Sequence, residues 1–326
     1  MTELTPDLEL ILGLDDLFIT HERTGNALWR GGAFLELFFP DGHTLEQRRN
    51  MIAIWEEYFG IFRDKMSHYL ENDGRRSKRI EAGTFPEHFR DVVASLGEDQ
   101  WFDGRLYGYM NEIRPGDPTH HVIGGGARGT IGKPRPSTIS TYLPSRWLIE
   151  HREAYIEAVL RWCSRIKPLH GMSGLSMVRD MNSPPYSMRD TRAFPFLKRF
   201  PGLDYMDTAQ FNLVTGGARG IRGVNWLTIL GETYVDELGG EAAITMGLGS
   251  QAEITVHRFN GGVLIRSGDL PSLGDVNAGR FPEAYRPAAG LVKPIRFEDY
   301  SRKGYFRVPP PLDEVDETLK WVRRFD

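Results

Sequence analysis

The sequence has few of the features that secreted, membrane and nucleic-acid-binding proteins share. One cysteine among 326 residues cannot form an internal disulfide. No apolar run approaches the ~20 residues that a membrane-spanning helix needs, and the first residues lack the pattern of a secretory signal. A formal net charge of -4 gives no basic field for general nucleic-acid binding. We therefore expect a folded cytoplasmic protein that contacts neither nucleic acid nor membrane directly.

The sequence also has little that indicates an enzyme. No His-Glu-x-x-His or Cys-x-x-Cys motif supplies zinc ligands, and the adjacent His120 and His121 would point to opposite faces of a strand. In the segment around Ser173, Leu175 stands where a nucleophile elbow requires its second glycine. Cys163 lies on the apolar stripe of a predicted helix, as a buried hydrophobic residue does. We predict no catalytic residue, no metal and no cofactor.

Hydrophobic residues make up 40% of the chain, and their spacing predicts two strand-helix units. Residues 29–39 form a strand-like run that ends at a proline, and from residue 51 to residue 70 apolar residues recur at the three- and four-residue steps of a helix. Residues 137–143 repeat the strand and its proline, and a helix with an apolar stripe over residues 156–166 follows. A duplicated strand-helix unit is one interpretation of this pattern.

The rest of the chain predicts further strands and a final helix. Residues 244–246, 253–257 and 263–267 look like short strands, and Asn260-Gly261 favours a hairpin between the last two. Acidic residues begin, and basic residues end, a C-terminal amphipathic helix. The fold class is therefore α+β, with antiparallel or mixed β-sheets and amphipathic helices packed on them. We expect one compact unit made of two lobes, residues 1–133 and 134–326.

Two segments share the sequence GGARG, residues 125–129 and 216–220. The second is part of a glycine-rich stretch, residues 215–223, that resembles a dinucleotide-binding loop, and Asn225 could cap a following helix. Arg222, however, stands where that fingerprint requires glycine. The alternative function is nevertheless a nucleotide-binding, oxidoreductase-like enzyme that uses this loop.

The first GGARG segment cannot open a helix, because Pro134 and Pro136 follow it closely. We interpret both segments as mobile glycine loops with one exposed arginine each. Such loops are suited to a contact surface.

Several longer segments resemble a known family. They are NWLTILGETYVDELGG from Asn225, SGDLPSLGDVN from Ser267, Pro282 to Tyr285, and FPGLD from Phe200. Over roughly residues 30–305 the chain resembles the bacterial type VI immunity proteins for VRR-Nuc nuclease effectors, the TsiV-like family. The resemblance implies a non-enzymatic cytoplasmic antidote. Its partner would be a cognate nuclease effector, neutralised by occlusion of the DNA-binding or active site.

An interface of this kind centres on aromatic and arginine anchors with a charged rim. The candidate contacts are the loop acids Asp269 and Asp275, which would face basic residues of the nuclease, and the loop arginines Arg128, Arg219 and Arg222. For each acid the alternative is a turn or capping role. That role is favoured for Asp275, which follows a glycine.

Overall fold

One sheet organises the part of the chain that the computed structural model describes, which is residues 5–20, 22, 27–71, 77–81, 83–108, 121–132, 135–179, 191–249 and 253–326. The strands are β1 (Phe18–Thr20), β2 (Ala27–Phe39), β3 (His68–Glu71), β4 (Lys78–Arg79), β5 (Phe102–Tyr107), β6 (Val122–Ala127), β7 (Ser137–Leu143), β8 (His170–Arg179), β9 (Leu203–Met206), β10 (Leu227–Gly231), β11 (Ile254–Phe259) and β12 (Gly262–Ser267). The helices are α1 (Pro6–Gly13), α2 (Leu45–Ile61), α3 (His88–Ser95), α4 (Ser145–Glu150), α5 (Arg152–Ile166), α6 (Phe194–Arg199), α7 (Thr208–Thr215), α8 (Glu232–Glu237), α9 (Glu241–Leu248), α10 (Arg286–Val292) and α11 (Glu314–Val322).

The strand order is β11-β12-β10-β8-β2-β7-β6-β5-β3-β4, with β1 beside β2 and β9 beside β8. Neighbouring strands are antiparallel except for β8 and β9, which are parallel. The α+β fold class with a largely antiparallel sheet is therefore confirmed. The expected boundary near residue 134 falls between β6 and β7, which pair directly, and β2 from the first half lies between β7 and β8.

Alternation along β2 divides the apolar side chains between the two faces of the sheet. Leu35 and Leu37 join the main core together with α2 and α5. Those two helices pack side by side, with 6.3 Å between the ring centroids of Tyr58 and Trp162. Phe34 joins a second apolar cluster. Glu36 shares the face of Phe34, so a carboxyl group lies inside the protein at the middle of the sheet.

The strands that end at prolines, the hairpin and the C-terminal helix are confirmed. β2 ends at Phe39 and β7 at Leu143. In the hairpin of β11 and β12, Phe259 pairs with Gly262, and Gly261 takes a φ of 115°. Asp313 caps α11 by accepting hydrogen bonds from two backbone N–H groups. Each of these elements depends on residues that are close together in the sequence, so the sequence alone is enough to predict it.

Two predicted elements are wrong. Helix α2 ends at Ile61 and not near residue 70, and residues 68–71 form β3, because half-buried strand residues can continue a helical spacing by coincidence. Residues 244–246 belong to α9 and not to a strand. An apolar run of three residues does not distinguish a strand from a buried turn of helix, and Glu241 in the first turn of α9 favours the helix.

Candidate functional site

The stretch that resembled a dinucleotide-binding loop has the opposite order of elements. Helix α7 precedes the glycines and the buried strand β10 follows them, whereas a dinucleotide site needs a strand, a loop and then the N-terminus of a helix. The expected helix after Asn225 is wrong. The Asn225 side-chain amide instead donates to the carbonyl of Gly202 and to Asp204 Oδ2, each at 3.3 Å. The element that directly follows these glycines is therefore a strand, and not the helix whose N-terminus would hold a pyrophosphate.

The second GGARG segment is held in place by its surroundings. Gly216 ends α7 in the left-handed conformation, with a φ of 60°. Gly220 has a φ of 136°, and a Cβ there would lie 3.0 Å from the backbone of Phe297. The N–H of Gly220 donates to Tyr234 Oη at 2.9 Å. Arg219 is positioned next to it, with its guanidinium 5.3 Å from the Tyr234 ring centroid and paired with the carboxylate of Glu237.

The first GGARG segment is mostly a strand, so its interpretation as a glycine loop is wrong. Gly125 and Gly126 lie in β6 between β5 and β7. A Cβ at Gly125 would lie 2.0 Å from the carbonyl oxygen of Thr138, so glycine is required by the close approach of β7. Arg128 follows the strand. Its N–H donates to Ser137 Oγ at 2.8 Å, and its guanidinium lies 5.8 Å from the Trp101 ring centroid.

The two segments meet at a single cleft of about 700 Å³, at the end of the sheet where β2 ends and β7 and β8 begin. We call it the GGARG cleft. Its lining includes Asp41, Arg128, Arg135, Phe211, Arg219 and Tyr234. A cleft of this size can hold a small ligand or a few residues of a partner.

The described lining residues include three arginines but one aspartate. His170 also lines the cleft, but burial and the charge of Arg222 lower its pKa to about 3. The imidazole is therefore neutral at physiological pH. The positive charge of the cleft comes from Arg128, Arg135 and Arg219, in a protein whose net charge is negative.

One buried arginine fixes the edge of this cleft. Arg48 lies in the first turn of α2 and its side chain is buried. Its guanidinium donates to four carbonyl groups, those of Gly42, Leu96, Gly97 and Gln100, at 2.7 to 3.1 Å. The turn at Gly42 lines the cleft, and the segment at residues 96–100 leads to Trp101. Arg48 thus holds together two backbone segments that have no regular structure of their own.

The prediction that Arg222 is an exposed loop residue at an interface is wrong, because its side chain is buried. Its Nε and Nη2 donate to Glu36 Oε1 at 2.8 and 2.6 Å, and its Nη1 donates to Asp204 Oδ1. Arg324 Nη2 lies 3.4 Å from the other oxygen of Asp204. Burial outweighs the attraction of Arg222 and raises the pKa of Glu36 to about 7. The four groups form an ionic cluster in the interior of the protein.

The two candidate acids lie in different environments. Asp275 is buried, so its assignment to an interface is wrong and the capping role is confirmed. It accepts a hydrogen bond from the N–H of Asn277, and Arg199 donates to both of its oxygens and thereby lowers its pKa. Asp269 is 69% exposed, but Arg266 already pairs with it at 2.6 Å. Of the five candidates, the structure brings together only Arg128 and Arg219.

The other polar candidates have structural roles or lie outside the described residues. Ser173 is buried and donates to the carbonyl of Phe34 at 2.6 Å. Cys163 is a buried core residue, as expected, and burial raises the pKa of its thiol. Within the described ranges, no group of three or more His, Cys, Asp or Glu side chains is arranged to hold a metal ion. His120 and Pro134 lie outside those ranges.

Sequence reasoning missed Trp101, Arg135 and the carboxyl partners of Arg222. The repeated GGARG was the one signal for Arg128 and Arg219. Trp101 carried no signal, because a single tryptophan in a polar segment has no periodicity. Arg222 bonds to a carboxylate 186 residues away, a distance that no local pattern spans.

Known proteins give two comparisons. A family model described as type VI immunity for VRR-NUC, TsiV, matches residues 126–325. The fold is similar to that of the Pseudomonas aeruginosa T6SS protein PA0821, with a TM-score of 0.81 and 17% identity over 95% of this chain and 87% of that one. At this identity the likeness shows the fold alone. No curated protein matches the sequence. Among the described helices, none is long and apolar enough to cross a membrane.

Proposed function

The chain belongs to the family of type VI immunity proteins for VRR-Nuc effectors, and from this premise we propose that it binds its cognate nuclease and covers the surface on which that nuclease holds DNA. We place this action in the cytoplasm, because bacterial DNA is there and the antidote must meet the nuclease before cleavage. Inhibition by occupancy needs surface complementarity and no catalytic group, so we propose that the chain acts without catalysis.

The general properties of the chain fit such a complex. A stable protein interface buries roughly 1,600 Å² in total, which a chain of 326 residues can supply from one side of its surface. The net charge of -4 attracts the whole chain to a basic, DNA-cleaving enzyme at long range, while the charges at the interface itself decide the local contacts.

We propose the mouth of the GGARG cleft as the docking surface. Trp101 is 49% exposed and Ile131 is 77% exposed. Trp101 and Ile131 lie in two segments that are hydrogen-bonded to each other close to Arg128. The N–H of Thr130 donates to the carbonyl of Glu98 at 2.9 Å. Tryptophan and arginine dominate the binding energy of protein interfaces. The observation that carries this proposal is the convergence of two GGARG segments, remote in sequence, on one cleft beside an exposed tryptophan.

Asp269 stays a predicted contact outside this surface. It lies beyond the cleft lining, near Arg152 and Arg266. Because its charge is already compensated within the chain, we expect its removal to affect binding less than removal of Trp101.

The test of the function is to co-express this chain with the VRR-Nuc effector encoded beside it, then to measure co-purification and DNA cleavage. A stable complex without cleavage is expected. If the nuclease stays free and active, the chain is not the antidote of that effector.

The test of the surface compares Trp101→Ala with Met246→Ala. Met246 is 78% exposed on α9 and does not line the cleft, so it is a matched loss of exposed apolar area. Truncation of a central tryptophan costs ~2 kcal/mol or more, which is about a 30-fold rise in Kd. If the two variants bind the effector with equal affinity, the interface lies elsewhere on the surface. The proposed immunity function would not be affected by that result.

A further inference from the structure

Two arginines of the GGARG cleft lack a carboxylate partner at ion-pair distance in the part of the chain that the structure describes. Among the described residues, neither Arg128 nor Arg135 forms an ion pair, and the Nε of Arg135 is buried without a hydrogen-bond acceptor. Arg219, the third arginine of the cleft, pairs with Glu237. A buried guanidinium donor without an acceptor is costly. The cleft is therefore short of negative charge.

The floor of the cleft is apolar. Phe211 and Leu169 contribute to it, and Tyr234 lies under Arg219. Phe211 and Tyr234 are fixed by other contacts, because Phe211 packs edge-on against Phe38 at 5.4 Å and Tyr234 accepts the hydrogen bond from Gly220. The cleft thus combines a rigid apolar floor with cationic walls.

We propose that the GGARG cleft receives a protruding acidic segment of the effector, with a carboxylate between Arg128 and Arg135 and an adjoining apolar side chain on the Phe211 floor. This inference rests on the proposed function and names the chemistry of the partner. A guanidinium presents a planar pair of donors that matches a carboxylate.

A protein carboxylate fits this cleft better than the phosphate of a nucleic acid. Nucleic-acid binding uses extended basic surfaces and a strong overall positive field, whereas here three arginines and several apolar side chains line one cleft in an acidic chain. The cleft holds a few side chains and does not provide a track for a phosphodiester backbone.

The first experiment measures the affinity of the effector complex for Arg135→Gln and Arg128→Gln. Arg161→Gln is the matched control, because Arg161 is exposed, pairs with Glu57 and lies on α5 outside the cleft. Truncating one member of a buried charge pair weakens binding about 30-fold or more. We expect that loss for Arg135→Gln, recovery of part of it in Arg135→Lys, and less than about a threefold change for Arg161→Gln.

A second experiment identifies the segment directly. Because the native Cys163 is buried, a Thr130→Cys variant offers one reactive thiol at the cleft for a photo-crosslinker. The crosslinked effector peptide should contain an Asp or Glu, and its replacement by Asn or Gln should weaken binding without adding to the loss from Arg135→Gln. Melting curves of each variant exclude unfolding as the cause of a lost complex.

The outcomes separate the two proposals. If the wild-type chain fails to inhibit the effector, the proposed function fails. If the wild-type chain inhibits and Arg135→Gln and Arg128→Gln bind equally well, the acidic-segment proposal is overturned and the function stands. Calorimetric binding of inorganic phosphate to the free chain that disappears in Arg135→Gln, with effector affinity unchanged, would assign the cleft to a phosphate ligand instead.

Discussion

Replacing Arg222 with methionine removes the guanidinium that, among the described side chains, contacts both buried carboxylates of the ionic cluster. In the wild-type chain the guanidinium donates to Glu36 and Asp204, and neither carboxylate is exposed to water. In the variant, Asp204 keeps only the 3.4 Å contact with Arg324 among its charged partners, and Glu36 loses its two donors. Methionine has a similar length, so the substitution tests charge rather than volume.

The expected loss is large. Removal of one partner from a buried ion pair costs about 3–5 kcal/mol, a substantial part of the roughly 5–15 kcal/mol that stabilises a typical protein. The penalty also depends on pH. The pKa of Glu36 is about 7 in the folded chain, and loss of Arg222 raises it further. Folding of the variant then requires Glu36 to keep its proton above pH 7, so the loss of stability relative to wild type grows there by up to about 1.4 kcal/mol per pH unit.

The assay is urea denaturation followed by tryptophan fluorescence at pH 6 and pH 8, with melting temperature as a second readout. Arg222→Met should lose more stability relative to wild type at pH 8 than at pH 6. Glu36→Gln combined with Arg222→Met replaces this buried acid with a neutral amide and should recover part of the loss. A loss below about 1 kcal/mol at pH 8, or a double variant less stable than the single one, would refute the assigned role of the cluster.

Three further substitutions test other parts of the structure. Glu36→Gln should remove a pH dependence. Because burial holds the folded-state pKa of Glu36 above its unfolded value of 4.5, the stability it contributes is complete below pH 4.5 and is lost as pH rises through about 7. The wild-type chain should therefore lose up to about 3 kcal/mol relative to the Gln variant across that window in denaturation curves, and parallel curves would contradict this. Arg48→Met should cost about 2–4 kcal/mol in urea denaturation, since four carbonyl groups lose a charged donor, and a change under about 0.5 kcal/mol would show that water replaces it. Gly125→Ala should lower the melting temperature by at least the equivalent of about 2 kcal/mol, because its Cβ would meet a backbone carbonyl, whereas Gly223→Ala, with no atom within 4 Å, serves as the control and should change little.

Local signals in the sequence were sufficient for elements that have one dominant cause. Pro40 follows β2, Asn260-Gly261 supports the hairpin, and Asp313 caps α11. Where the cause is not local, the same reasoning failed. Residues 244–246 were assigned to a strand by an apolar triplet, and the helix that they form depends on its flanking acid and its packing. Asn225 has the chemistry of a cap, yet it is used to bind Asp204 inside the protein.

By itself, the sequence determined the α+β class and the family to which the chain belongs. These depend on composition, periodicity and motifs, which are properties of short stretches. Only the tertiary structure decided that Arg128 and Arg219 share a cleft while Arg222 lies buried with Glu36 and Asp204. Whether an arginine is exposed or buried depends on which carboxylates lie near it. In this sheet those carboxylates belong to strands that are far apart in the chain.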